Sequence, residues 1–395
     1  MKLLKQLVVT GAVAWLISFA FAPFEHSTPK ARPASALPFE GVAFAQAEKP
    51  QMSEQAFKNI QVLKGIPVDE FMGTMGLFSA ALNVCCGDCH TGAGGSNPKW
   101  DDDTPPRKKI ARRMISIMNT INKEQFGGRQ VITCWTCHRG SGSPAATPSI
   151  DNIYSEPVSV PPDVLPPAPT TSGALPADQV LDKYIKALGG AEQLAKLSSY
   201  TAKGESLRFD EVRRDQVEVY AKAPNQLVWL IHEREGDLAR TFDGNNAWVM
   251  LPLTVVGEYP LTAAAREAAK LDAEMAFPGN IKRFFTNWRA SFPATIDGHD
   301  VYVVQGTNTA GLIATFYFDK QTGLLTRMIH YANSAVGRVP TQIDYSDYRS
   351  VAGIMMPFKW TYGWVSGREE YEIKEYQPNA AVDNSKFAKP VQRAQ

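Results

Sequence analysis

One short pattern occurs twice, CGDCH at 86–90 and CWTCH at 134–138, and it constrains the chain more than any other feature. Each copy puts two thiols about one helical turn apart, spaced for thioether bonds to the two vinyl groups of a haem. The imidazole that follows is placed to ligate the iron. Cys86, Cys89, Cys134 and Cys137 are therefore the expected anchors, with His90 and His138 as the proximal ligands, and the cofactor expected is two covalently bound haem c. A structural zinc site or two disulfides are the alternatives. Zinc ribbons separate their Cys-x-x-Cys knuckles by roughly 15–20 residues. Here 44 residues intervene, and neither alternative requires a histidine after both motifs.

Only Cys85 lies outside the motifs, so the cysteines make no disulfide framework. Cys85 is expected to be a small buried residue beside the haem. With 41 basic and 40 acidic residues the net charge is +1, which gives no general attraction to nucleic acid or to a membrane surface. At 395 residues and 44% hydrophobic composition, the chain has room for more than one core.

Lys2 and Lys5 precede an uncharged apolar run from Leu7 to Ala22, the order of a secretory signal. The run is 16 residues long, which leaves a cleaved signal (1–22) and a membrane anchor through 7–22 both open. Either places the protein in the periplasm or on the outer face of the cytoplasmic membrane. Residues 23–50 carry five prolines and read as an extended tether.

The dihaem module is expected over 51–142. Phe71, Met75, Phe78 and Leu82 recur at four, three, four and predict one apolar helical stripe, with Met72 off it. In the second unit Asp101, Asp102, Asp103 and Thr104 offer an N-cap before Pro105, and Gly127 and Gly128 a stop. Between them Ile110, Met114, Ile117 and Ile121 repeat the four, three, four spacing, with Met118 on the flank. The only other histidine before residue 200 is His26, in the tether, so methionine is the available sixth ligand. Met75 and Met114 are the first choices, and Met118 is the runner-up to Met114. The basic cluster Arg107, Lys108, Arg112, Lys109 and Arg113 is read as a solvated face or as counter-charge for propionates. Docking of an acidic redox partner is the alternative.

The segments KNIQVLKGIPVDEFMGTM, CGDCHTG, IARRMISIMNTIN and VITCWTCHRG resemble the first two haem units of the cytochrome subunit of photosynthetic reaction centres. The resemblance covers roughly residues 55–142. It implies units built as helix, turn and CxxCH, with Met75 opposite His90 and Met114 opposite His138. That family carries four haems, and this chain, with two motifs, reads as a two-haem version.

Nine prolines in the 33 residues from Pro144 to Pro176 predict a spacer over 143–177. An amphipathic helix through Val180, Leu181, Tyr184, Ile185 and Leu188 should follow. Alternating runs such as QVEVYAKA and REEYEIKEY then predict antiparallel sheet, with a hairpin at Asp319–Gly323 and a helical interruption near 262–285. Over 178–390 the pattern resembles the curved-sheet carrier fold of outer-membrane lipoprotein-sorting proteins. Trp229, Trp248, Trp288, Trp360 and Trp364 are read as core, an apolar ligand cavity being the alternative. His232, His299 and His330 lack metal-ligand spacing and are read as structural or exposed.

The expected architecture is thus a small, mainly α, c-type dihaem cytochrome module followed by an α+β domain with a curved antiparallel β-sheet. The expected function is single-electron transfer between redox partner proteins, not catalysis. A peroxidase-like haem enzyme with an open sixth position, and a redox sensor or carrier that binds a lipid or quinone, are the alternatives.

Overall fold

The helical part is built from short segments that end where their backbone forces them to. The computed structural model describes residues 48–95, 97–147, 164–169, 172–208, 213–252 and 254–391, so the stretch 7–22 lies outside it. After a single turn, α1 (Ser53–Ala56), comes α2 (Val68–Leu82), with Asp69 and Glu70 favourably placed at its positive end. Asn83 closes it at φ 52°. Helix α3 (Pro106–Phe126) starts one residue later than Thr104 and the acidic run suggest. Asp102 accepts bonds from the Thr104 N–H (2.9 Å) and hydroxyl (2.6 Å), so these residues hold the preceding loop and do not cap the helix. Gly127 ends α3 at φ 60°, the left-handed backbone a C-terminal glycine takes without strain. The second motif is itself the short helix α4 (Cys134–His138).

The carboxy-terminal part begins with α5 (Ala177–Ala187), which buries Val180, Leu181 and Tyr184 as the periodicity predicts. A single turn, α6 (Ala191–Leu194), leads into the sheet. The first strands are β1 (Ser199–Arg208), β2 (Arg214–Lys222), β3 (Gln226–Glu233), β4 (Gly236–Phe242), β5 (Ala247–Met250) and β6 (Glu258–Pro260). Helices α7 (Ala263–Met275) and α8 (Ile281–Phe284) form the expected interruption. Eight strands follow: β7 (Asn287–Ala290), β8 (Ala294–Ile296), β9 (His299–Thr307), β10 (Ile313–Asp319), β11 (Leu325–Ser334), β12 (Gly337–Val351), β13 (Ile354–Trp364) and β14 (Gly367–Pro378). Among the described residues they make one antiparallel sheet, ordered β6-β5-β4-β3-β2-β1-β14-β13-β12-β11-β10-β9-β7, with β8 beside β9. The hairpin expected at Asp319–Gly323 joins β10 to β11, and the Asp319 carboxylate accepts the N–H groups of Gln321 and Thr322.

Ring contacts across the interior measure the curvature of this sheet. Trp229 on β3 stands 5.6 Å from Tyr362 on β13, although β2, β1 and β14 lie between those strands. Arg240 on β4 reaches farther and lies 4.2 Å over the same tyrosine ring. Helices α5 and α7 and an aromatic core fill the concave side, leaving a cavity of about 90 Å³. The tryptophans are largely core residues, with Trp248 and Trp360 buried. Part of the Pro-rich stretch lies on the sheet: Leu165 is buried against Val301, Val303 and Tyr317.

The described residues fall in one compact unit. Leu63, Phe71, Leu77, Ile115 and Met118 form the helical core, and Val336 from the β11–β12 turn completes it.

Candidate functional site

Helices α2 and α3, the first motif and α4 line a cavity of about 800 Å³, which is also walled by Leu251 and Thr254–Val256 from the β5–β6 connection and by Tyr259 on β6. Its size lies in the range of ligand sites, roughly 300–1,000 Å³. Cys86, Cys89, His90, Cys134, His138, Met75 and Met114 all line it. Cys137 is exposed. Sequence reasoning put Met72 off the stripe, yet it lines the cavity too, because the wall takes in a broad face of α2, including 71, 72, 75, 78, 79 and 82.

Helix α3 carries two apolar faces. Ile115 and Met118, with Asn122, are buried in the protein core. Met118 is therefore a packing residue and points away from a ligand role. The predicted stripe is left in the open: Ile110, Met114, Ile117 and Ile121 are 55%, 42%, 46% and 37% exposed. Such an uncovered apolar face marks a surface that meets something else.

Each motif histidine is oriented by a backbone carbonyl. Nδ1 of His90 lies 3.2 Å from the Trp100 oxygen, and Nδ1 of His138 lies 3.0 Å from the Ser141 oxygen. A proton held on Nδ1 and donated to the carbonyl leaves the Nε2 lone pair free, as metal-ligating imidazoles require. Burial, helped by Lys108, lowers the His90 pKa, which favours the neutral ring. Burial also pushes the Cys134 thiol up to about 11 and raises that of Cys89, so both are held protonated. Cys85 is not the small buried residue expected beside the haem. It is exposed at the start of the first motif, where its N–H donates to the Asp88 carboxylate (2.9 Å) and its Sγ lies 3.3 Å from the same oxygen.

Two members of the basic cluster are ion-paired and a third is held by backbone carbonyls. Arg107 pairs with Asp88 (2.9 Å), Arg112 makes a two-pronged contact with Asp103 (2.8 and 2.9 Å), and Lys108 donates to the carbonyls of Trp100 and Asp102 (2.6 Å each). Hydrogen bonds from Arg112 to Asp103 and from Thr104 to Asp102 hold both carboxyls down to about 2. Arg107, Lys108 and Arg112 line the cavity, whereas Lys109 and Arg113 face solvent.

These residues fit a covalently attached haem: paired thiols, imidazoles with a free Nε2, thioethers on facing helices and an apolar wall in need of cover. Among the described residues no three of His, Cys, Asp and Glu are grouped as a metal cage, so the four motif thiols are not gathered as a zinc knuckle would gather them. Sequence reasoning missed the β5–β6 wall and the Val336 contact, which depend on long-range register and carry no local signal.

Residues of both CxxCH turns face one cavity, an arrangement that fits a c-type cytochrome. Residues 26–185 match the family model described as photosynthetic reaction centre cytochrome c subunit. The subunit of that name from Thermochromatium tepidum is 31% identical over 111 residues, which are 27% of this chain and 26% of the relative. That from Rubrivivax gelatinosus is 31% identical over 96 residues, 23% of this chain and 25% of the relative. The matches thus span about a quarter of each relative's length. Among solved structures, the chain is similar to a LolA superfamily protein from Nitrosomonas europaea (TM-score 0.37, 16% identity, 55% of this chain and 99% of that one). It is similar also to a putative outer membrane lipoprotein-sorting protein domain from Vibrio parahaemolyticus (TM-score 0.37, 9% identity, 53% and 97%).

Proposed function

We propose that the protein is an exported two-haem c-type cytochrome that passes single electrons between partners outside the cytoplasmic membrane. The observation that carries this reading is the uncovered stripe of α3 beside a cavity that receives residues from both CxxCH motifs. Cys86 and Cys89, and Cys134 and Cys137, would be the thioether anchors. His90 and His138 would present Nε2 to the iron, each held by its carbonyl partner. Met75 and Met114 would supply the sulfur on the other side. When bound, haem supplies an iron that accepts and releases one electron. The imidazole and thioether side chains would hold it and the apolar wall would exclude water, and a thioether ligand would raise its reduction potential relative to a second imidazole.

For the basic cluster, position favours a role at the propionates, since Arg107, Lys108 and Arg112 line the cavity. Lys109 and Arg113 remain to face an acidic redox partner.

Protein from a host that matures c-type cytochromes should show a reduced c-type spectrum and two haem-bearing peptides, one around Cys86–Cys89 and one around Cys134–Cys137. Replacing Cys86 and Cys89 together by alanine should halve the haem per chain. In the parent protein, four motif thiols still open to alkylation would reject the proposal.

A further inference from the structure

The β11–β12 turn leaves the sheet and wedges between the two elements that carry the second motif's surroundings. Val336 is 0% exposed inside the helical core. Its carbonyl accepts the Cys134 N–H (3.4 Å), while the Ala335 N–H donates to Thr74 Oγ1 on α2 (3.2 Å). Gln130, just before α4, donates its Nε2 to the Ser334 carbonyl (3.2 Å). The turn is itself stiffened, since Ser334 Oγ donates to the Gly337 carbonyl (2.7 Å). Gly337 adopts φ 151°, and a Cβ there would lie 2.7 Å from Leu77 Cδ2 on α2 and 3.3 Å from Thr133, the N-cap of α4. The backbone thus touches both elements with no space between. A second tie fixes α2 to the sheet region: Asp69 accepts the N–H (2.6 Å) and hydroxyl (2.9 Å) of Thr262, which precedes α7.

We propose that the β11–β12 turn, through Val336 and Gly337, is the positioning element of the second haem-attachment motif, so that the sheet sets the geometry of Cys134–His138 against α2. The inference rests on the two-haem reading above. It gives the carboxy-terminal region a role as scaffold for one redox centre, needing no ligand of its own. A β-turn can do this because its amide and carbonyl groups are fixed by the sheet register behind it and reach α2 and α4 as rigid partners.

The test uses the full-length holoprotein. Val336→Ala opens a gap beside Cys134, Gln130→Ala removes one bond without touching the core, and Val336→Ile serves as the conservative replacement. Haem stoichiometry, the two reduction potentials and hydrogen exchange at the Cys134 amide are read for each. Val336→Ala should lower one potential, as water gains access to that centre, leave the other unchanged, and speed exchange at Cys134. Gln130→Ala should do the same to a smaller extent, and Val336→Ile should restore the parent values. Haem absent from the parent protein would defeat the two-haem reading on which the inference stands. Two haems whose potentials and Cys134 exchange are indifferent to both Val336→Ala and Gln130→Ala would overturn the positioning role while leaving the cytochrome intact. If Val336→Ala yields no soluble protein, Gln130→Ala decides alone.

Discussion

Replacing His330 by glutamine is expected to make folding stability fall as pH rises from about 4 to about 7, while replacing Asp272 by asparagine should make it rise from about 4 to 6.5. The two side chains meet in the sheet interior, His330 Nε2 from β11 lying 3.9 Å from Asp272 Oδ1 on α7. Among the described residues neither imidazole nitrogen has a hydrogen-bond partner, nor has that carboxyl oxygen. Burial drives Asp272 up to about 7, with Arg240 on β4 pulling the other way, and Tyr345 and Tyr362 stand nearby on β12 and β13. Burial, reinforced by Arg240, drives His330 down to about 4. The folded pair is therefore neutral acid beside neutral base where the unfolded pair is ionised. Asp272 alone, with a raised folded pKa, gives stability that is complete below its ordinary value of 3.8 and lost by about 7. That is about 3 pK units, or about 4 kcal/mol. His330 alone, with a lowered folded pKa, gives the opposite sign: stability complete above 6.5 and lost as pH falls to about 4, about 3 kcal/mol. In the parent the two slopes cancel between about 4 and 6.5, because one proton moves from base to acid on folding and none is exchanged with solvent. Urea unfolding across that range checks this. Parallel pH profiles for parent and both variants would dispose of it.

What was legible in the sequence was local. The motifs, the span of α2, the Gly127 stop and the Asp319–Gly323 hairpin each follow from residues within a few positions of one another. The start of α3 was nearly so, but Asp102 spent its hydrogen-bonding capacity on Thr104, and Pro106 opened the helix instead. Spacing alone does not decide which face of α3 meets the protein core, because the helix has two apolar stripes. The structure assigns Ile115 and Met118 to the protein and leaves Ile110, Met114, Ile117 and Ile121 open. Equally hidden were the carbonyls of Trp100 and Ser141 that set the histidine tautomers, and the insertion of Val336, which is more than 190 residues from the motif it braces. Contacts of that kind depend on register across the sheet, which residue alternation does not fix.

Four methionines separate the ligand roles from the packing roles. Met118→Ala is expected to cost about 2–5 kcal/mol in stability, since it empties a buried site among Leu63, Phe71, Leu77 and Ile115; on the proposed two-haem reading it should leave thioether ligation intact. Met114→Ala should have the reverse signature. Its side chain is 42% exposed, so little packing is lost there. In the holoprotein the thioether band of one haem should vanish, its potential should fall, and carbon monoxide should bind. Met75→Ala should do the same to the other haem. Met72→Ala is the sharper control, because Met72 lines the same cavity and differs from Met75 by three positions, about 300° of helical turn. It should leave both thioether bands in place. Absorbance of the oxidised protein in the sulfur-to-iron charge-transfer region, recorded with urea midpoints, distinguishes all four. Ligation lost with Met72 and kept without Met75 would overturn the stripe assignment on α2, and ligation lost with Met118 and kept without Met114 would overturn it on α3.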